Sequence, residues 1–449
     1  MLARMGATAL CGALAGCATY RAAPLVPNAV VTERAQRTLP AAANWSTAAL
    51  LAQAIDWAPA IRESAANYRS LAAAARAARV PLPAALQLTA EYSRDDNPDK
   101  PWLGSGALDV PLDLGGRRNA RVSGADLAAV QARYDYGEAI WNTRSAIRRA
   151  LIDRIFLDRL TPLAARALAL RQDRYDKLQA RVRAGEEARP ISITAQLDLV
   201  AAERRIRDIS ARHAQADVAL ANAMGVDRQS VAGIVPEAPE AEVPAPAPAD
   251  LARWRSEAAA GRRDVLRAIV DYDLAENAVR LEIANQYPAL RIQPGYTYER
   301  GLVKLPFGLN LQLPPIDLNR AAIAAAEKRR AQAGARLETV QAGIVGDVDK
   351  ASALLDAQLA AERISATRDL PIARRLADRA SANLRAGEGD RVDEDAAHAT
   401  AIDSQIALIE ATRLAWMALA DLEDALRRPT DPRDGVVLET AMKILGDMK

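Results

Sequence analysis

The sequence predicts an α+β fold in which one unit is used twice: two strands, a very long helix and a returning helix. Three observations predict it. Short motifs recur at a nearly constant offset. Pro315-Ile316-Asp317-Leu318 lies 204 residues after Pro111-Leu112-Asp113-Leu114, and Arg385-Ala386-Gly387-Glu388 lies 202 residues after Arg183-Ala184-Gly185-Glu186. Just before each first motif, two segments alternate strictly between apolar and polar residues, the mark of strands. Between the motifs, each copy carries about 70 helix-compatible residues.

The chain has 449 residues, abundant Ala, and only 2 Phe and 10 Tyr, a composition that favours long, closely packed helices over one thick core. Net charge is +2 with acids and bases interspersed, so no basic stripe argues for nucleic acid. Both Cys lie in the first 17 residues, which leaves no disulfide framework or metal–cysteine site for the body of the protein.

Residues 1–16 read as a lipoprotein signal peptide. Arg4 supplies the positive region, Met5 to Ala13 the apolar one, and Leu14-Ala15-Gly16-Cys17 resembles the bacterial lipobox, with Cys17 as the lipidation site. Acyl chains there would anchor the protein stably, at roughly 0.8 kcal/mol per buried methylene. Ala18 in place of Asp points, by the same resemblance, to the outer membrane. Residues 17–44, with Pro24, Pro27 and Pro40, read as a lipidated extended tether.

The first repeat spans 45–225. Leu50, Ala54, Ile55, Ala58 and Ile61 keep helix spacing from Trp45 to Arg79, with a kink expected at Pro59. Strands follow at about 85–94 and 102–112, joined by the polar turn Arg94 to Asp99. Leu86, Leu88, Ala90 and Tyr92 oppose Gln87, Thr89, Glu91 and Ser93. A long helix is expected over about 116–184 and its return over about 191–224, reversing at Gly185. Residues 226–249 form a Pro/Ala-rich linker. The second repeat, 250–427, has strands at about 289–299 and 303–313, a long helix over about 318–386 and a return over about 391–427. Pro162 and Pro371 should kink the long spans or mark a joint. Residues 428–449 are a tail without an assigned place.

Strands of about ten residues with one apolar and one polar face suit a transmembrane β-barrel. Four such strands cannot close one, whereas three chains give twelve. Spans of almost 70 residues would reach roughly 100 Å if continuous, a length suited to crossing a compartment.

The order helix, strand, strand, long helix, reversal, helix, repeated once, resembles the TolC-type outer-membrane efflux factors over essentially the whole mature chain. The carrying motifs are Pro111-Leu112-Asp113-Leu114-Gly115-Gly116-Arg117-Arg118, Leu313-Pro314-Pro315-Ile316-Asp317-Leu318-Asn319-Arg320 and the two Arg-Ala-Gly-Glu turns. The second-copy pattern looks most like the lipoprotein branch that serves heavy-metal and drug efflux of the RND type. One departure is that Leu112 and Ile316 stand where the family usually has an aromatic residue. The resemblance implies a homotrimer: a 12-stranded outer-membrane barrel continued by a long α-helical periplasmic tunnel. It implies a passive duct in a tripartite system, partnered by a periplasmic adaptor protein, an inner-membrane RND-type pump and outer-membrane lipid.

No catalytic constellation or metal site is expected, and no cofactor beyond the covalent lipid on Cys17. His213 and His398 read as solvated helix residues. Asp390, Asp393 and Glu394, in the acid cluster after the second reversal, are candidates for a periplasmic gate, because a trimer turns each axial acid into a ring of three. The first-turn dipole alone accounts for much of that cluster. Arg183, Gly185, Arg385 and Gly387 at the tip turns are candidates for adaptor docking. Competing readings are a non-channel lipid-anchored coiled-coil scaffold, a periplasmic adaptor, and the duct of a type I polypeptide secretion system.

Overall fold

The computed structural model describes residues 20–40, 44–92, 101–240, 242–299 and 301–447, the last four of these without their side chains. Cys17 and the turn from Arg94 to Asp99 lie outside the described residues. The unit occurs twice, as the motifs predict. The first copy has α2 (Thr47–Trp57), α3 (Pro59–Ala78), β1 (Ala85–Tyr92), β2 (Trp102–Leu112), α4 (Arg117–Ala184) and α5 (Arg189–Met224). They are preceded by α1 (Pro27–Gln36) and followed by a short α6 (Arg228–Ala232). The second copy has α7 (Pro248–Gly261), α8 (Arg263–Ala284), β3 (Ala289–Glu299), β4 (Leu302–Lys304), β5 (Phe307–Gln312), α9 (Arg320–Ile364), α10 (Leu370–Ala386) and α11 (Arg391–Leu426). The tail forms α12 (Pro432–Asp447).

α4 alone runs 68 residues, roughly 100 Å, straight through Pro162. The second copy reaches the same length differently. A π-helical turn at Ser365–Asp369 separates α9 from α10, and Pro371 follows as the second residue of α10. The wider turn needs no i→i−4 bond from the proline, so the joint expected there takes this form.

Several expectations are corrected. Pro59 does not kink one helix but divides two. Ala58 is extended at ψ 123° because a residue before proline is pushed out of the helical region. Its counterpart in the second copy is also divided, at Arg262 (ψ 149°). The strand expected at 303–313 is split into β4 and β5. Pro306 has no N–H to give to the ladder, although its carbonyl still accepts from Gly295 N at 2.8 Å and the register carries through.

The tether is not wholly extended either. α1 is docked: its Arg34, and Arg37 just beyond its end, donate to the carbonyls of Val226, Gly225 and Trp57, which are left open where α5 and α2 end. The linker begins as core, with Val226, Val231 and Ile234 buried and Trp45 bridged to Pro236.

The main core sits at mid-length. Ile140, Trp141, Ile147 and Leu151 form one stripe of α4, at helical spacing, packed against Leu50, Leu51 and Ile61 of the short helices and against Leu438 and Ala441 of α12. Each fully buried Leu or Ile contributes about 1.5–3 kcal/mol. Below this level the helices are held by Ala-rich seams such as Ala373 and Ala377 against Ala397 and Ala401.

Candidate functional site: the sheet and the tip

The strands form one antiparallel sheet in the order β1–β2–β3, with β4 and β5 end to end along the far edge of β3. The register puts most apolar positions on one face, with Leu103 and Leu302 beside Glu299 on the other. Leu86 is opposite Leu108, Tyr92 opposite Trp102, Val110 opposite Ile292, Leu112 opposite Leu290, and Leu290 and Ile292 opposite Leu311 and Leu309. The other face carries Thr89, Ser105 and Thr297 in a row, and Asp109 held by Arg291 at 2.7 Å.

Among the described residues no helix covers either face, and Leu88 is 75% exposed, Leu309 62%. The sheet is open at β1 and at β4/β5. An exposed apolar face with two unpaired edges is a liability in water and suits a wall closed by further strands in lipid. Tyr92, Trp102, Tyr296, Tyr298 and Phe307 share the apolar face. Tyr92 and Trp102 pack edge to face at 5.0 Å beside the outer turn.

The opposite end is the tip, where both helix reversals lie. Gly185 (φ +78°) and Gly387 (φ +75°) close their helices in the left-handed conformation. Gly185 N donates to Val182 O and Glu186 N to Arg181 O, and Gly387 N and Glu388 N repeat the pattern to Leu384 O and Asn383 O. The duplicated Arg-Ala-Gly-Glu is therefore a helix-terminating turn, and it leaves Arg183, Gly185, Arg385 and Gly387 exposed at the extremity.

The acid cluster divides into distinct roles. Asp390 caps α11, accepting from Val392 N at 3.1 Å, and pairs with Arg181 of α4. The hydrogen bond from Arg181 holds its carboxyl below the usual carboxylate range, against some desolvation. Glu394 accepts from Ser381 of α10 at 2.8 Å. Asp395 is buried against Lys177 at 2.7 Å. Asp393 is exposed, with no partner among the described residues.

The ties from Lys177 and Arg181 join the first copy to the second and were not among the candidates. They span 218 and 209 residues of chain, and no local pattern signals them. The histidines are not simply solvated: His213 contacts Asp158 at 2.9 Å and His398 contacts Ser381 at 3.0 Å. Among the described residues there is no metal-ligating cluster, and no helix is long and apolar enough to cross a membrane.

A sheet with one lipid-type face, set on helices of this length, defines a subunit of the outer-membrane channel class. The sequence matches the outer membrane efflux protein family over residues 50–226 and 254–426, and the chain belongs to that family of TolC-type channels. The two matched stretches are the two repeats. The fold is similar to that of a membrane protein from Pseudomonas aeruginosa (20% identity, 86% of this chain and 94% of that one, TM-score 0.70). It is similar also to the outer membrane protein VceC of Vibrio cholerae (19%, 86% and 97%, 0.68) and to the CmeC outer membrane channel of Campylobacter jejuni (11%, 95% and 97%, 0.69). A search of curated protein sequences returns no match.

Proposed function

We propose that three copies of this chain close a 12-stranded barrel in the outer membrane and continue as an α-helical periplasmic tunnel. The assembly is a passive duct through which small solutes, metal ions or drugs, leave the cell. The observation that carries the reading is the sheet: four strand positions with a single continuous apolar face, uncovered on both sides and open at both edges. Four strands are too few to close around a lumen. β1 of one copy against β4/β5 of the next satisfies both edges, and hydrocarbon tolerates no open edge. The non-channel scaffold reading needs the apolar face packed on helices, and none among the described residues covers it.

Cys17 bears the lipid anchor in this reading. The exposed tip residues Arg183, Gly185, Arg385 and Gly387 meet the periplasmic adaptor, which links the duct to an inner-membrane RND-type pump. Of the gate candidates, Asp390 and Glu394 have partners within the chain, so Asp393 carries the gate: three copies would place its carboxylates in one ring. Carbonate extraction and heat-modified electrophoresis of the Cys17→Ser protein test the duct. Trimers that stay in the membrane without the lipid are expected, and release as monomer would refute it. In planar bilayers, Asp393→Ala should lower cation selectivity, and unchanged selectivity and conductance would remove Asp393 from the gate.

A further inference from the structure

Where α7 gives way to α8, a groove of about 590 Å³ lies between α4, the α7–α8 joint, the end of α11 and α12. Its charge is one-sided. Arg133, Arg262, Arg263, Arg427 and Arg428 line it with a single carboxylate, Glu257. Three of the five have anions within the chain. Arg262 holds Asp264 at 2.7 Å, Arg427 holds Glu138 and Asp424, and Arg428 approaches Glu257 at 3.4 Å. Arg133 and Arg263 have no hydrogen bond or ion pair among the described residues.

Arg263 is the sharper case. It lies against Gly137, where a Cβ would come within 2.7 Å of its Nε, so the glycine makes room for it. Burial pulls its pKa below the usual arginine value; Glu138 opposes this and Arg427 adds to it. A cation is thus held partly out of water beside another cation, with no counter-charge of its own, which is costly. In the same wall the indole N–H of Trp254 and Nε of Arg427 also lack acceptors. The remaining surface is apolar or aromatic: Tyr134, Leu266, Met442, and the Trp254 ring, over which the Arg428 guanidinium stacks at 4.7 Å.

We propose that this groove binds a small organic anion, a phosphate monoester or carboxylate on a planar apolar body, with Arg263 and Arg133 as the partners of the anionic group. A guanidinium fork matches an oxyanion in two parallel hydrogen bonds, and the partial dryness of the groove strengthens them. The volume suits a ligand of that size. The bound anion would tie α4 to the α7–α8 joint and the end of α11. Binding of an anion here does not require that the chain conduct.

The test is calorimetric titration of the detergent-solubilised full-length protein with phenyl phosphate, read in parallel by tryptophan emission. Saturable binding is expected, weakened at least about tenfold in Arg263→Met and in Arg133→Gln. Trp254→Phe should remove the emission change, and phenol, which lacks the anion, should not bind. Arg133 is exposed, so Arg133→Gln reports on binding with the fold intact, as unchanged circular dichroism would verify. Absence of saturable binding, or equal affinity in both arginine variants, overturns the proposal. Equal affinity for inorganic phosphate overturns the assignment of an organic ligand.

Discussion

Leu88 and Thr89 are neighbours in β1, both exposed in the single chain, and they point to opposite faces of the sheet. In water, arginine at either position would cost little, since surface substitutions usually stay within about 0.5 kcal/mol. In the proposed barrel the two differ sharply. Leu88 is opposite Gly106, near the middle of β2, whose 11 residues at about 3.3 Å rise and ~40° tilt span roughly 28 Å of bilayer. Arginine at that depth on the lipid face costs about 2–4 kcal/mol. Three copies bring the cost to about 6–12 kcal/mol per trimer, enough to disrupt assembly. Thr89 belongs to the polar row with Ser105 and Thr297, which has water beside it. The assay is the yield of heat-modifiable trimer in the outer-membrane fraction. Leu88→Arg should abolish the trimer, while Thr89→Arg should preserve it and shift the channel away from cation selectivity. Equal trimer yield from the two variants would refute the assignment of the faces, and with it the barrel.

Arg144 is buried with Glu423 and Asp434, at 2.7 Å from each, all three 1% exposed or less. Arg144→Met leaves buried Asp434 without its ion pair, while Glu423 keeps Arg148 at 3.1 Å, and should lower stability by about 3 kcal/mol or more in denaturant titration; a change under about 1 kcal/mol would show that water reaches the cluster. Because Arg181 lowers the pKa of folded Asp390, the stabilisation from that pair is present above the ordinary carboxylate value and is lost as pH falls through the lowered one. Proteolysis at the tip should therefore accelerate below about pH 4, and Asp390→Asn should be susceptible already at neutral pH. At Gly185 and Gly387 an added Cβ meets open space, so the cost of alanine is backbone strain alone, about 1 kcal/mol each by thermal melting. Gly185→Trp and Gly387→Trp should block efflux while trimers persist if the tip docks an adaptor; normal efflux would count against docking there.

The faces of the sheet were legible because period-2 alternation is local: Leu86, Leu88 and Tyr92 declare their side without reference to any partner. The duplication was legible for the same reason, since a turn of the Arg-Ala-Gly-Glu type fixes its own backbone. What could not be read are contacts between distant residues. Arg144 meets Asp434 across 290 positions, and nothing near Pro432–Asp447 shows that the tail belongs to the core. Arg34 and Arg37 look like ordinary surface residues until α5 ends beside them with open carbonyls. Pro162 and Pro371 show the limit from the other side. The same residue type is absorbed in α4 and accompanies a π-helical turn in the second copy, so proline alone does not fix the form.

The two copies must pack against each other, and their divergence follows that demand. Arg181 and Asp390 meet at the tip, yet their counterparts by the 202-residue offset are Asn383 and Ala188, and the counterpart of Asp395 is Ile193. The ionic contact between α4 and α11, which also includes Arg413 on Asp153 and Arg171 on Asp403, is therefore not repeated in the complementary arrangement of α10 and α5. Those two helices do expose Ile372 and Leu376 on α10 and Ile191, Ile193 and Leu197 on α5, interspersed with charged residues such as Arg375 and Arg204. In the proposed trimer, α10 of one copy neighbours α5 of the next, the position equivalent to the ionic contact. Charge would then hold the copies together within a chain, and burial of the exposed leucines and isoleucines would hold chain to chain. Ion pairs are worth most where geometry is fixed by the same chain, whereas apolar burial is non-directional and tolerates the small misfits of separate subunits. A duplicated chain that kept identical tips would repeat the same Arg–Asp pairing at every contact around the tunnel; by diverging, it makes the contact within a chain different from the contact between chains.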